Sequence, residues 1–223
     1  MKACQQAFIC QWCAYHIHPK AGTPFARTLY LDADTRVIGS ITEPFGLLDR
    51  FDLGGRVVIV TGAGDRAFCT GADLADLPAT DGTLANFRWT ARQNRVWKPV
   101  ICAVNGMACG GAFYMLAECD IIIAAEHATF FDPHVTFGMT ACFESMHMLQ
   151  QMPFHEIMRI ALMGAHERVS AQRAYEIGLV SEVVPASELH DAVAKVATAI
   201  ASQPATAVQG TVRALWAALD MDR

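Results

Sequence analysis

The sequence predicts an α/β fold, and three observations carry that expectation. Continuous apolar runs at residues 56–61 (RVVIVT), 100–104 (VICAV) and 120–125 (DIIIAA) are short and mostly β-branched, the mark of strands covered on both faces. Segments with apolar residues at helical spacing lie between and after them. Helical patterns dominate the second half, so strands alternate with helices as α/β proteins require.

Bulk composition narrows the class. At 223 residues the chain suits one sizeable domain. Hydrophobic residues make up 53% and charged residues 17%, with mean hydropathy +0.25. Either the core is large or a second subunit covers apolar surface. A net charge of −5 speaks against nucleic-acid binding. Residues 106–125 could imitate a membrane span, but Glu118, Asp120 and three glycines make them a buried helix plus strand. Lys2 followed by Gln5, Gln6 and Gln11 makes a poor signal peptide. Cys69, Cys102, Cys109, Cys119 and Cys142 lie in apolar strings, which fits buried reduced thiols in a cytoplasmic protein.

Residues 1–50 are the least readable. Cys10, Cys13, His16 and His18 form a CxxCxxHxH cluster, but the second pair is too close to the first for a zinc finger. It is taken as chance, and no metal is assigned. Residues 47–53 read as a helix end stopped by Gly54 and Gly55. After the first strand, GAGDRA (62–67) matches the GxGxxA dinucleotide fingerprint. That fingerprint must open a long helix, whereas residues 67–73 are turn-rich, which counts against a dinucleotide site. Asp73 reads as an N-cap, placing the N–H groups of Gly71 and Ala72 near a helix start. Residues 83–97 read as a helix with Leu84, Phe87 and Ala91 inward. Arg88, Arg92 and Arg95 then share a face, either solvated or a phosphate-binding row.

The stretch 98–125 is the centre of the chain. A strand at 100–104 meets a turn at Asn105-Gly106, then Cys109-Gly110-Gly111-Ala112, a helix over 113–119 and the strand at 120–125. Free N–H groups in the glycine turn, beside the partial positive charge of a helix start, suit a developing negative charge. Gly71–Ala72 is a second backbone site of the same kind.

Residues 129–142, with an Asp-Pro step and Gly138, read as a loop. Helices follow at 144–152 and 154–163, split by Pro153. Ser170 caps a helix over 171–177 that Gly178 ends, and 179–184 reads as a strand. Leu189, Val193, Val196 and Ile200 mark one amphipathic helix. Val208, Val212, Leu215 and Leu219 mark the last.

AFCTGADL (67–74), KPVICAVNGMACGGA (98–112), ECDIIIAA (118–125) and SAQRAYEIGLVSEVVP (170–185) together resemble the enoyl-CoA hydratase/isomerase family, the crotonases, from about residue 47 onward. The resemblance implies a spiral of ββα turns over 47–185, C-terminal helices over 186–223 that build a homotrimer or hexamer, and a divergent segment over 1–46. It implies an acyl-CoA substrate in fatty-acid or related acyl-CoA metabolism, with coenzyme A carried by the substrate and no other cofactor. The family's oxyanion-hole N–H groups fall on Ala72 and Gly111. The coenzyme's adenine would lie along the backbone of 68–72, so Phe68, Thr70 and Gly71 join Gly110 and Tyr114 as substrate contacts.

Departures accompany the likeness. Where typical hydratases carry two glutamates, this chain has Tyr114 and His134. Other members place a carboxylate at the position of Cys142, and Glu144 stands two residues on. Glu144 facing an apolar acyl pocket would have a raised pKa and could carry a proton, or be simply a helix-start acid. His134 could be a base oriented by a carboxylate, or a pocket wall. Tyr114 reads as a wall or hydrogen-bond donor, Asp132 as a turn residue, Glu118 as a weaker acid. The family's opening strand pair and coenzyme-contacting turn are not visible in 1–50, and the chain stops at Arg223 before the usual closing helix. Three functions are open: a hydratase or isomerase, with isomerisation or an unusual hydration favoured; a C–C bond hydrolase using His134 and Glu144; and an acyl-CoA-binding or assembly subunit without catalysis.

Overall fold

The computed structural model describes residues 15–18, 28–31, 56–71 and 90–220, the first two stretches as backbone only. Among the described residues, ten strands form two sheets. The first contains β1 (Tyr15–His18), β2 (Thr28–Leu31), β3 (Val58–Gly62), β5 (Val100–Val104), β7 (Ile121–Ala125) and β10 (Glu182–Val184), in that spatial order. β1 and β2 are antiparallel and every other pair is parallel. The second sheet runs β4 (Ala67–Cys69), β6 (Met107–Cys109), β8 (Thr129–Phe131) and β9 (Val169–Ser170). Successive strand pairs β3–β4, β5–β6 and β7–β8 each give one strand to each sheet. The chain therefore winds in turns and advances one strand per turn, the expected spiral.

The long strands are buried on both faces, and two separate cores explain why. Val58, Val60, Val100, Cys102, Val104, Ile122 and Ala124 point into the main core with α1 (Ala112–Glu118). The alternate residues Val57, Ile59, Ile101, Ala103, Ile123 and Ala125 meet Leu189, Val193 and Ala197 of α5 (Leu189–Ala201). Side chains alternate with period two, so strands covered on both sides must be apolar throughout. That is the origin of the continuous runs.

Helices α2 (Phe143–Met148), α3 (Phe154–Met163), α4 (Ala171–Glu176) and α6 (Ala205–Leu219) complete the described elements. Ser170 caps α4 as expected, its Oγ accepting from the Arg173 N–H at 3.1 Å. The helices over 154–163, 189–201 and 205–219 also stand where helical spacing placed them.

Several expectations are corrected. Residues 15–18 and 28–31 hold the opening strand pair that residues 1–50 did not reveal. Residues 90–95 form turns, not the end of a helix over 83–97, and Arg95 takes a positive φ of 58°. Arg92 lies neither in a solvated row nor in a phosphate-binding one. Its guanidinium pairs with Asp120 at 2.5 Å, between the rings of Trp97 and Trp216. Residues 129–131 are a strand rather than loop, and 134–137 a 3₁₀ turn. β10 is shorter than the expected 179–184, because Leu179 and Val180 donate their N–H groups to the Ala174 carbonyl and close α4 instead. The GAGDRA bend runs directly into β4, the wrong geometry for a dinucleotide fingerprint. The helix ends expected at 47–53 and after Asp73, with Cys10, Cys13, Arg88 and the side chains of His16 and His18, lie outside the described residues. Among the described residues no group of three or more metal-binding side chains is assembled, and no helix is long and apolar enough to cross a membrane.

Candidate functional site

The site is built where the strand ends of the second sheet bend. Upstream of them, Asn105 ties the bend after β5 to the bend after β3, the two bends that lead into β6 and β4. Its Oδ1 accepts from the Gly62 N–H at 2.9 Å, and its Nδ2 donates to the carbonyls of Gly62 (3.0 Å) and Gly64 (2.8 Å). At Gly106 a Cβ would sit 2.4 Å from the Arg66 carbonyl oxygen, so only glycine permits this approach. β4 and β6 thus leave side by side.

Each then ends in a glycine bend. Gly71 has φ +88°, and a Cβ there would lie 3.4 Å from Cys109 O and 3.5 Å from Gly111 N. The two bends therefore touch. The Cys109 thiol strengthens the junction by donating to the Thr70 carbonyl at 3.1 Å. Gly110 donates its N–H to Phe131 O at 3.3 Å, while Phe113 and Tyr114 donate to the carbonyls of Gly110 and Gly111. The Gly111 N–H has no hydrogen-bond partner among the described residues. Ala72 lies outside them, as does any coenzyme contact it makes. Phe68 is buried in the core, so only its backbone can meet a ligand.

A polar chain faces these glycines. Gly110 approaches His134, since a Cβ at Gly110 would lie 3.9 Å from the ring's Cε1. The backbone N–H of His134 donates to Asp132 Oδ1 at 3.1 Å, and the ring Nδ1 pairs with the same oxygen. On its other side, Nε2 stands 3.5 Å from Glu144 Oε1. Tyr114, one turn into α1, hydrogen-bonds Glu144 and stacks edge-on against His147, with ring centroids 5.5 Å apart. Asp132 and Glu144 are both buried, beside a small recess that Phe113, Met148, Met152 and Ile157 also line.

Electrostatics follow the geometry. The hydrogen bond that the His134 ring donates to Asp132 raises the His134 pKa above its ordinary value; burial opposes this, and the charges of Asp132 and Glu144 assist it. Burial, then the neighbouring Glu144, pushes the Tyr114 phenol far above its usual range. Tyr114 is therefore a neutral donor throughout the working pH range, as its residue type suggested.

The fold thus brings Gly71, Gly110, Gly111, Tyr114, His134 and Glu144 into one place. Glu118 is elsewhere, accepting from the Arg92 N–H at 3.1 Å. Asp132 was underrated: it holds the turn as expected, but also grips the His134 ring. The D-x-H spacing was the available signal, since an Asx turn folds residue i+2 back onto the carboxylate.

The family model described as Enoyl-CoA hydratase/isomerase matches residues 46–223. The chain is 35% identical to the (E)-benzylidenesuccinyl-CoA hydratase of Thauera aromatica, covering 74% of this chain and 66% of that protein. It is 33% identical to the short-chain-enoyl-CoA hydratase of Clostridium acetobutylicum, over 71% of this chain and 62% of that one. The chain thus spans just under two thirds of the length of these curated relatives. A solved enoyl-CoA hydratase/isomerase from Mycobacterium paratuberculosis superposes with TM-score 0.80 at 31% identity, over 97% of this chain and 85% of that one.

Proposed function

The chain belongs to the enoyl-CoA hydratase/isomerase family, and from that premise we propose that it adds water to, or shifts, the double bond of an enoyl-CoA thioester through an enolate. The N–H groups of Ala72 and Gly111 receive the thioester oxygen. What supports this for Gly111 is its unpartnered N–H at the contact of the two glycine bends. Such donors bind an enolate more strongly than a carbonyl, an effect of about 3–4 kcal/mol per donor in acyl chemistry. Phe68, Thr70 and Gly71 offer backbone to the coenzyme, and Gly110 and Tyr114 border the acyl group.

Glu144 and His134 carry the protons in place of the family's two glutamates. The observation behind this assignment is their pairing at 3.5 Å, directly across from Gly110. Moving a double bond needs one acid/base group and hydration usually needs two. A coupled pair therefore favours water addition, in line with the hydratase names of the two relatives above. An exposed apolar band, with Phe137, Phe143, Met146, Phe154 and Leu162 each more than half exposed, supports assembly into the expected trimer or hexamer.

The test is incubation with a short 2-enoyl-CoA and a 3-enoyl-CoA, followed by mass analysis of products. Addition of 18 Da to the 2-enoyl substrate is expected, and Glu144→Gln should lower that turnover roughly 10²–10⁴-fold. No turnover of either substrate, with coenzyme A still bound, would leave a binding subunit. Unchanged turnover in the Glu144→Gln variant would remove Glu144 from its role.

A further inference from the structure

We propose that Asp132 is a positioning residue that fixes the ring of His134, locking Nδ1 as the protonated nitrogen and aiming Nε2 at Glu144. The inference rests on the reading of His134 and Glu144 as the proton-carrying pair and adds the group that orients them.

Two observations set Asp132 apart from an ordinary turn residue. The first is double engagement: one oxygen, Oδ1, accepts both the His134 backbone N–H and its ring nitrogen. The second is an unbalanced carboxylate. Asp132 is 1% exposed, and its Oδ2 has no hydrogen-bond partner among the described residues although it lies beside the recess. A buried carboxylate with an unsatisfied oxygen is destabilising unless a nearby cation offsets it. An asparagine would make the same Asx turn without burying a charge, so turn formation does not explain the carboxylate. An imidazolium at His134 does.

Asp132 directly follows β8 and Glu144 lies in the first turn of α2, so residues at two elements grip opposite nitrogens of one ring. Asp132 and Glu144 are the titratable groups that act on the His134 ring, and Tyr114 stands behind Glu144. With Nδ1–H held by Asp132, a proton can enter or leave only through Nε2, the nitrogen shared with Glu144 and the site. The raised affinity of His134 for its proton has the sign this geometry requires.

The experiment is ¹⁵N-histidine NMR on the full chain, with His134 assigned by its loss in His134→Gln. In the wild-type protein, His134 should titrate above the ordinary value of about 6.5, and its neutral form should carry the proton on Nδ1. Asp132→Asn keeps the turn acceptor but removes the charge. It should lower the His134 pKa, reduce kcat roughly 10–100-fold with little change in KM, and shift the matching limb of the pH–rate profile downward. A wild-type His134 that titrates at or below the ordinary value, or is neutral as the Nε2–H tautomer, overturns the proposal even if the variant fails to fold. So does a folded Asp132→Asn protein with unaltered titration. The NMR readouts need no turnover, so an inactive protein would sink the proposed function and leave the Asp132–His134 pair standing.

Discussion

His134 is the residue on which the local energetics turn, because its charge state is set by neighbours on both sides. Its folded pKa lies above the unfolded value, so the folded state binds the proton more tightly. The resulting stabilisation is full below about pH 6.5 and is lost as pH rises through the raised folded value. Thermal melts from pH 6 to 9 should show this loss, and His134→Gln should abolish that component. Cys119 shows the opposite use of burial. Desolvation, then its contact with Cys102 at a sulfur–sulfur distance of 2.6 Å, pushes its thiol pKa well up. A neutral, buried thiol is a poor nucleophile. Mild alkylation of the folded protein, mapped by peptide mass, should spare Cys102 and Cys119 and, among the described cysteines, reach the half-buried Cys142 first.

The strand-end bends matter most among the elements, and Asn105 is what unites them. Its amide binds four backbone groups across two turns of the spiral. Asn105→Ala would leave buried N–H and carbonyl groups unsatisfied, and should destabilise by about 2–4 kcal/mol in urea unfolding. It should also lower turnover, because β4 and β6, which lead to Gly71 and Gly111, would lose their registration. The strands β3, β5 and β7 were legible because burial on both faces demands an unbroken apolar run. The three-residue strands β6 and β8 were not: they are too short for a periodic pattern to rise above the turns around them. The turn over 90–95 was misread for a related reason. Arg88, Arg92 and Arg95 match helical spacing, but the Arg92 N–H binds Glu118 and its guanidinium binds Asp120, and no local pattern reports those distant partners.

At the scale of the molecule, α6 is held to the described body by polar and cation–π contacts of Trp216 and by Arg213, which lies 5.6 Å from the Trp97 ring. No residue of α6 is buried, yet Trp216 donates its indole N–H to Asp120 at 2.6 Å. Arg92 lies 5.1 Å from the Trp216 ring while pairing with the same carboxylate. Arg92→Ala leaves Asp120 without its cation and should cost about 3 kcal/mol, the lower range for breaking a largely buried pair. α6 should then show faster amide exchange than α5. The apolar band of α2 and α3 makes a second global prediction. Sedimentation should show an oligomer, and Phe154→Glu with Leu162→Glu should shift it toward monomer without loss of helix content.

The amino-acid sequence by itself determined the α/β class, the buried strands, the helices over 154–163, 189–201 and 205–219, and the identity of the glycine bends. Each of these depends on interactions within a few residues, or on a burial pattern that every residue of an element must share. Only the tertiary structure decided that Asp132, His134 and Glu144 form one chain and that Arg92 belongs to Asp120. It also decided that residues 15–18 and 28–31 pair. Those partners come from separate elements, and a contact between them exists only once the spiral has wound the chain back on itself.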